Sequence, residues 1–164
     1  MKLLTKLPLL ALLAVLSFSC STDSFDDKAE EIELSLITPE TKSIEIEILE
    51  YINNHRLSLG LNPLEDMTIV KSVAYSHTDY MLDTGEVSHD YFYTRSNYLK
   101  ENAGAVKVSE NVAYGYSTAE TVVNAWLKSE GHKANIEGDF TNCDVAAEMN
   151  EKGRWYFTNI FIKK

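Results

Sequence analysis

Cysteine is scarce in this chain of 164 residues, which holds only two, Cys20 and Cys143. With Cys20 placed outside the folded part, Cys143 stands alone, so no internal disulfide staples the domain and it must rest on its core. Positive charge is also short, with 15 Lys and Arg against 25 Asp and Glu, for a net charge of −10. That figure includes Lys2 and Lys6; without those two lysines it is −12. Such a chain repels phosphate polymers, and no Lys/Arg cluster with interleaved aromatics reverses this. Nucleic acid is therefore excluded as a partner and anionic ligands are disfavoured. There are no internal repeats. There is no His-x-x-x-His pair and no His-Glu-x-x-His helix, so a metal or acid/base site has to be assembled from separated segments. Ser88-His89-Asp90 is not a catalytic triad, because neighbours in sequence cannot face one another as nucleophile, base and orienter.

Long apolar runs are missing as well. The run from Leu7 to Phe18 follows a basic start and precedes Ser19-Cys20. It falls short of the ~20 residues that span a bilayer, and reads as an export signal over residues 1–19. A cysteine directly after such a run resembles the lipobox of bacterial lipoproteins, with Cys20 lipidated and anchoring the protein to the membrane. Ser17 stands where that pattern wants a large aliphatic residue, and ordinary cleavage with secretion is the alternative. Residues 20–37 carry Asp23, Asp26, Asp27, Glu30, Glu31 and Glu33 with little apolar periodicity, which predicts a flexible acidic tether. An acidic run in that place also resembles the surface-export signals of some Gram-negative lipoproteins.

What remains, residues 38–164, is enough for one domain. Thr38-Pro39-Glu40 predicts a helix start, with Ile44, Ile48, Tyr51, Ile52, His55 and Leu59 inward, Glu45, Glu47 and Glu50 outward, and a stop at Gly60. A second helix is expected from about Asp66 to Asp83, carrying Val70, Val73, Ala74, His77, Tyr80 and Met81 on its inner face. A third, shorter one is expected over Thr94 to Lys100. Ser117-Thr118-Ala119-Glu120 reads as a capping box opening a helix through Val122, Val123, Trp126 and Leu127, closed by Gly131. A strand is expected near Val106 to Tyr114. Cys143 to Met149 and Arg154 to Ile162 form a C-terminal β-hairpin whose second strand is buried on both faces. The layer order is α/β/α. Cys143 lies among apolar residues and reads as a core residue before a reactive thiol.

Three short stretches carry the chemistry: Ser88-His89-Asp90, Glu110-Asn111-Val112-Ala113 and Gly131-His132-Lys133-Ala134-Asn135-Ile136. His89 and His132 are suited as neutral ligands for a divalent metal such as zinc, with Glu110 as third ligand or as base on a bound water. The structural alternative has the imidazoles bonding loop backbones around Glu110, with Asn111 as a backbone-bonding residue. His77 and His55 sit on apolar helix faces and read first as satisfied core histidines. Tyr91, Phe92, Tyr93, Tyr98, Tyr114 and Tyr116 cluster around these stretches, either lining a groove or packing a core.

Together with Tyr51-Ile52-Asn53 through Arg56, Gly60-Leu61-Asn62-Pro63-Leu64, Ala74, His77, Met81 and Trp126, these stretches resemble the CAP superfamily. Its members include the bacterial SCP-like extracellular proteins, cysteine-rich secretory proteins, antigen 5 and pathogenesis-related proteins. The resemblance runs from about Ser43 to Ile162. It implies a three-layer α-β-α sandwich with a mainly antiparallel sheet, and a cleft lined by two histidines and two acids. His89, Glu110 and His132 match three of those positions. The fourth, three residues after Trp126, is Ser129, with Glu130 beside it. The resemblance further implies ligand binding at the cell envelope, with a lipid, glycan or peptide in the cleft. Two alternatives stand beside it, a protein interaction module and a metal-assisted hydrolase or peptidase using the same residues.

Overall fold

The computed structural model describes residues 36–164; the expected export signal, Cys20 and nearly all of the tether lie outside the described residues. The chain forms α1 (Ser43–Ser58), α2 (Thr68–Thr84), α3 (Phe92–Ala103), β1 (Lys107–Tyr114), α4 (Ala119–Lys128), α5 (Glu130–Ile136), β2 (Asn142–Met149) and β3 (Trp155–Lys163). The strands make one antiparallel sheet in the order β1-β3-β2. β3 is central, and its residues from Tyr156 to Ile162 are buried on both faces.

Strand alternation assigns residues to the two faces. Phe157 and Phe161 of β3 point to one side, where they join Ile48 and Ile52 of α1 and Val122 and Trp126 of α4. Ile160 and Ile162 point to the other and meet Val70, Val73 and Ala74 of α2 and Leu99 of α3. The result is the expected three-layer α-β-α sandwich. Among the described residues, no helix is long and apolar enough to cross a membrane.

Both sheet edges are closed by side chains, which deters pairing with a further strand. On the outer edge of β2, the Val145 carbonyl accepts from Lys71 Nζ at 2.8 Å and the Ala147 amide donates to Glu45 Oε1 at 2.8 Å. On the outer edge of β1, the Val112 carbonyl accepts from Trp126 Nε1 at 3.1 Å and the Glu110 carbonyl from Asn135 Nδ2 at 3.3 Å.

Several expected boundaries move, each for a local reason. Helix α1 begins at Ser43, not Thr38, because the Thr38 hydroxyl bonds Ser72 Oγ at 2.7 Å instead of capping. Glu45, expected outward, is fully buried, accepting from the Lys42 amide at 2.7 Å and from Lys71 Nζ at 2.5 Å. Tyr51 and Leu59, expected inward, are exposed. Helix α3 runs longer than Thr94 to Lys100. Helix α4 is capped by Thr118 with Thr121 rather than by Ser117 with Glu120. It ends at Lys128, because Ser129 turns extended (φ −95°, ψ 120°), and Gly131 lies inside α5 instead of stopping α4. Cys143 is buried in the first cluster as a core residue, and that burial pushes its thiol pKa well up.

Candidate functional site

The site is built around β1. Glu110 pairs with Ile160 across the sheet and shares its face, toward α2 and α3; Asn111 pairs with Asn159 and points to the opposite face, toward α5. Neighbouring residues of one motif thus serve the two sides of the sheet.

The Glu110 side chain is 1% exposed and receives three charge-assisted hydrogen bonds. Arg95 of α3 grips both oxygens, Nε to Oε2 at 2.8 Å and Nη2 to Oε1 at 2.7 Å. His89 Nδ1 lies 2.8 Å from Oε1. Burial pushes the Glu110 carboxyl up, but the His89 bond and the charge and bonds of Arg95 outweigh it and hold the group below its ordinary value. Facing an ionised acceptor, His89 Nδ1 is the donor, so in the neutral ring it is Nε2 that carries no proton, on a side chain that is 52% exposed. Arg95 Nη1 also donates to the Asp90 carbonyl at 2.6 Å, so one guanidinium fixes both the carboxylate and the His89-Asp90 loop.

His77 of α2 reaches this cluster from below. Its Nε2 donates to the Ser88 carbonyl at 2.8 Å and lies 3.8 Å from Glu110 Oε1, and its Nδ1 is buried without a partner. Burial lowers its pKa, and Arg95 adds to the effect, so the ring is neutral at pH 7. Its visible work is to hold the carbonyl before His89.

On the other face, Asn111 Nδ2 donates to the His132 carbonyl at 3.1 Å, and Asn135 Nδ2 donates to Asn111 Oδ1 at 2.8 Å. These bonds seat α5 on the edge strand; burial lowers the His132 pKa, and positive charge on His89, when that ring is protonated, lowers it further. The structure therefore brings His89, Glu110 and His77 together, while His132 makes no side-chain bond to them and is tied to β1 through its backbone carbonyl by Asn111. Ser129 is half-buried at the junction of α4 and α5; Glu130 is exposed in the first turn of α5. Neither makes a side-chain bond to the other four.

Arg95 was not among the residues singled out from the sequence. A signal existed, because Arg95 lies four residues before Leu99 and so shares the buried face of α3. The loop it holds contains Tyr91, the one non-glycine among the described residues with positive φ, at 58°. Tyr91 packs edge-on to Tyr80 (5.5 Å, 85°), which stacks on His77 at 5.8 Å and donates to Asp90 Oδ2 at 3.1 Å. Tyr91 and Tyr93 expose 45% and 77% of their surface, and Tyr91 reaches His77 through Tyr80. Tyr98 packs inward against the α2 face of the sheet, and Tyr114 against Tyr156 at 4.5 Å.

Chemically the arrangement offers one exposed imidazole oriented by a carboxylate, His89, and a half-buried one, His132. Both Glu110 oxygens are engaged, and three of the roughly four acceptor positions of the buried carboxylate are taken by Arg95 and His89. Among the described residues, no set of three or more His, Cys, Asp or Glu is placed to hold a metal ion.

Comparison with known proteins agrees with this architecture. An outer surface protein of Borrelia burgdorferi superposes with a TM-score of 0.69 at 24% identity, covering 77% of this chain and 96% of that one, a likeness of fold. A Bacillus anthracis extracellular protein containing an SCP domain gives a TM-score of 0.64 at 27% identity, over 73% of this chain and 40% of that one. The uncharacterized membrane protein YlbC of Bacillus subtilis is 32% identical over 124 residues, which are 73% of this chain but only 34% of YlbC. The chain thus spans about a third of the length of that relative. The sequence model of the cysteine-rich secretory protein family, CAP, matches residues 49–161, more than half of the chain, and the chain belongs to that family.

Proposed function

We propose that this is an exported CAP domain, held at the cell envelope by lipid on Cys20, whose His89/His132 surface binds a ligand without turning it over. The observation that carries the reading is the double grip on Glu110. A buried carboxylate that already accepts three hydrogen bonds from Arg95 and His89 and is held below its ordinary pKa is a poor general base and a good orienter. Among the described residues, no Ser, Thr or Cys side chain hydrogen-bonds either imidazole. What remains open is the exposed His89 side chain, the half-buried His132 and the exposed Tyr91 and Tyr93, which offer hydrogen-bonding nitrogens and flat apolar faces. That combination suits a glycan or peptide, and a lipid headgroup with its first methylenes. Export is supported by the N-terminal segment and by the nature of the relatives, an outer surface protein and an extracellular protein. Thermal-shift and calorimetric titration against lipid, glycan and peptide panels tests the reading. One panel should give a saturable response lost in both His89→Ala and His132→Ala; silence across all three contradicts it.

A second reading is favoured by one specific feature, the fixed His89 tautomer with Nε2 free, which is how a metal-bound imidazole is commonly oriented. A divalent ion such as zinc would be held by His89 and His132, with the remaining positions open to water or ligand. Elemental analysis of the native protein, with chelator-sensitive peptide cleavage lost in His132→Ala, would establish it.

A further inference from the structure

We propose that the cavity at Arg56 is a second binding site, separate from the histidine surface, and that it takes an α-amino acid with free ammonium and carboxylate groups. The cavity measures about 540 Å³, ample for such a ligand. Arg56 of α1 lines it while being only 3% exposed. Its Nε donates to the Asn62 carbonyl at 2.8 Å, and its Nη1 to the carbonyls of Ile136 and Gly138 at 2.6 and 2.9 Å. The two N–H groups of Nη2 have no acceptor among the described residues, and no described carboxylate pairs with the guanidinium. Nη2 is thus the donor left to face the cavity. Burial lowers the Arg56 pKa, and the charge of Asp139, whose bonded partner is Lys163, offsets only part of that.

The other charges of the lining mostly cancel. Lys163 Nζ is 2.6 Å from Asp139, and Glu137 is shared by His55 at 2.8 Å and Lys133 at 3.7 Å. Glu65 is the exception. Its backbone pairs with Thr141 and Cys143, while its exposed carboxylate makes no ion pair among the described residues. One cavity therefore presents an uncompensated cation and an uncompensated anion. A simple anion would satisfy Arg56 and be repelled by the carboxylates, whereas a zwitterion complements both. Leu61, Pro63 and Phe140 supply apolar wall for a side chain. The wall is close-fitting at Gly138, where an added Cβ would come within 2.6 Å of the Phe140 ring and 2.9 Å of the Ala134 carbonyl.

Amide-resolved NMR of the full chain, titrated with leucine, leucine amide, N-acetylleucine and acetate, tests this. Leucine at millimolar concentration should give saturable shifts at the Asn62, Gly138, Asp139 and Thr141 amides, with the amide and N-acetyl analogues about tenfold weaker or more. Because Arg56 also clamps three carbonyls, the variant is placed at Glu65. Glu65→Gln should weaken leucine about tenfold and leave N-acetylleucine unchanged. No saturable shift at these amides, or equal responses to leucine and acetate, overturns the proposal.

Discussion

Replacing Arg95 by Met is the perturbation that reads most directly on how the site is held. Arg95 and Glu110 are 3% and 1% exposed and share two hydrogen bonds of 2.7 and 2.8 Å. Methionine fills much of the guanidinium's volume but strands an ionised carboxylate in a buried place. Breaking a buried pair in this way costs about 3–5 kcal/mol, a large share of the roughly 5–15 kcal/mol a domain has. Glu110→Gln strands the guanidinium instead and should cost a similar amount, whereas the double variant leaves no unpaired charge. Its cost should fall short of the sum by about 2 kcal/mol or more. The pH dependence carries a second signature. Burial is the largest influence on the Glu110 carboxyl and acts to raise it, so without Arg95 the folded-state pKa should rise above its ordinary 4.5. A raised carboxyl contributes stability at low pH that is lost as pH climbs through the folded pKa. The penalty of Arg95→Met should accordingly be smaller at pH 5 than at pH 8. Urea unfolding followed by circular dichroism, with m-values compared across the four proteins, measures both effects. A cost below about 1 kcal/mol for Arg95→Met, or single costs that add within about 0.5 kcal/mol, would refute the buried-pair account.

Asp144, raised by burial from 3.8 to about 6, should make stability decline as pH rises from about 4 to 6, by up to about 3 kcal/mol; Asp144→Asn should flatten that limb. His77 and His132 are lowered from 6.5, chiefly by burial, so they act oppositely, and their contribution is lost as pH falls below 6.5; thermal melts of His77→Gln should show that acid limb reduced. At Tyr91, where φ is 58°, Tyr91→Gly should be about 1 kcal/mol more stable than Tyr91→Ala by urea unfolding, since both lose the Tyr80 contact and only glycine escapes the strain. Asn135→Ala removes the donor to Asn111 Oδ1 and leaves that buried oxygen unsatisfied, for a loss of about 1–3 kcal/mol and faster amide exchange in α5.

The layer order and the hairpin were legible because β3 is buried on both faces and α2 carries its apolar residues at helical spacing. The outward placement of Glu45 failed for a physical reason. A carboxylate that closes a sheet edge and meets Lys71 looks, in sequence, like any solvated acid on an amphipathic helix. Arg95 was hidden in the same way. The stretches that mark the family also divide once their contacts are seen. Asn53 bonds both the amide and the carbonyl of Leu64, at 2.8 and 2.9 Å, and Arg56 the carbonyl of Asn62, so the first stretch builds a turn. Asn111 and Asn135 seat a helix. His89 is left with an exposed ring and His132 with a half-buried one that bonds no other side chain, a distinction that depends on register and on which side of β1 each residue faces.

The central claim is that Glu110 holds His89 with its proton on Nδ1 and Nε2 bare for a ligand. Long-range ¹H–¹⁵N imidazole correlation on the protein, at a pH where His89 is neutral, measures this directly. The account predicts a protonated Nδ1 and an unprotonated Nε2 that shifts when a ligand is added, with the tautomer preference lost in Glu110→Gln. A proton found on Nε2, with Nδ1 bare, would contradict it.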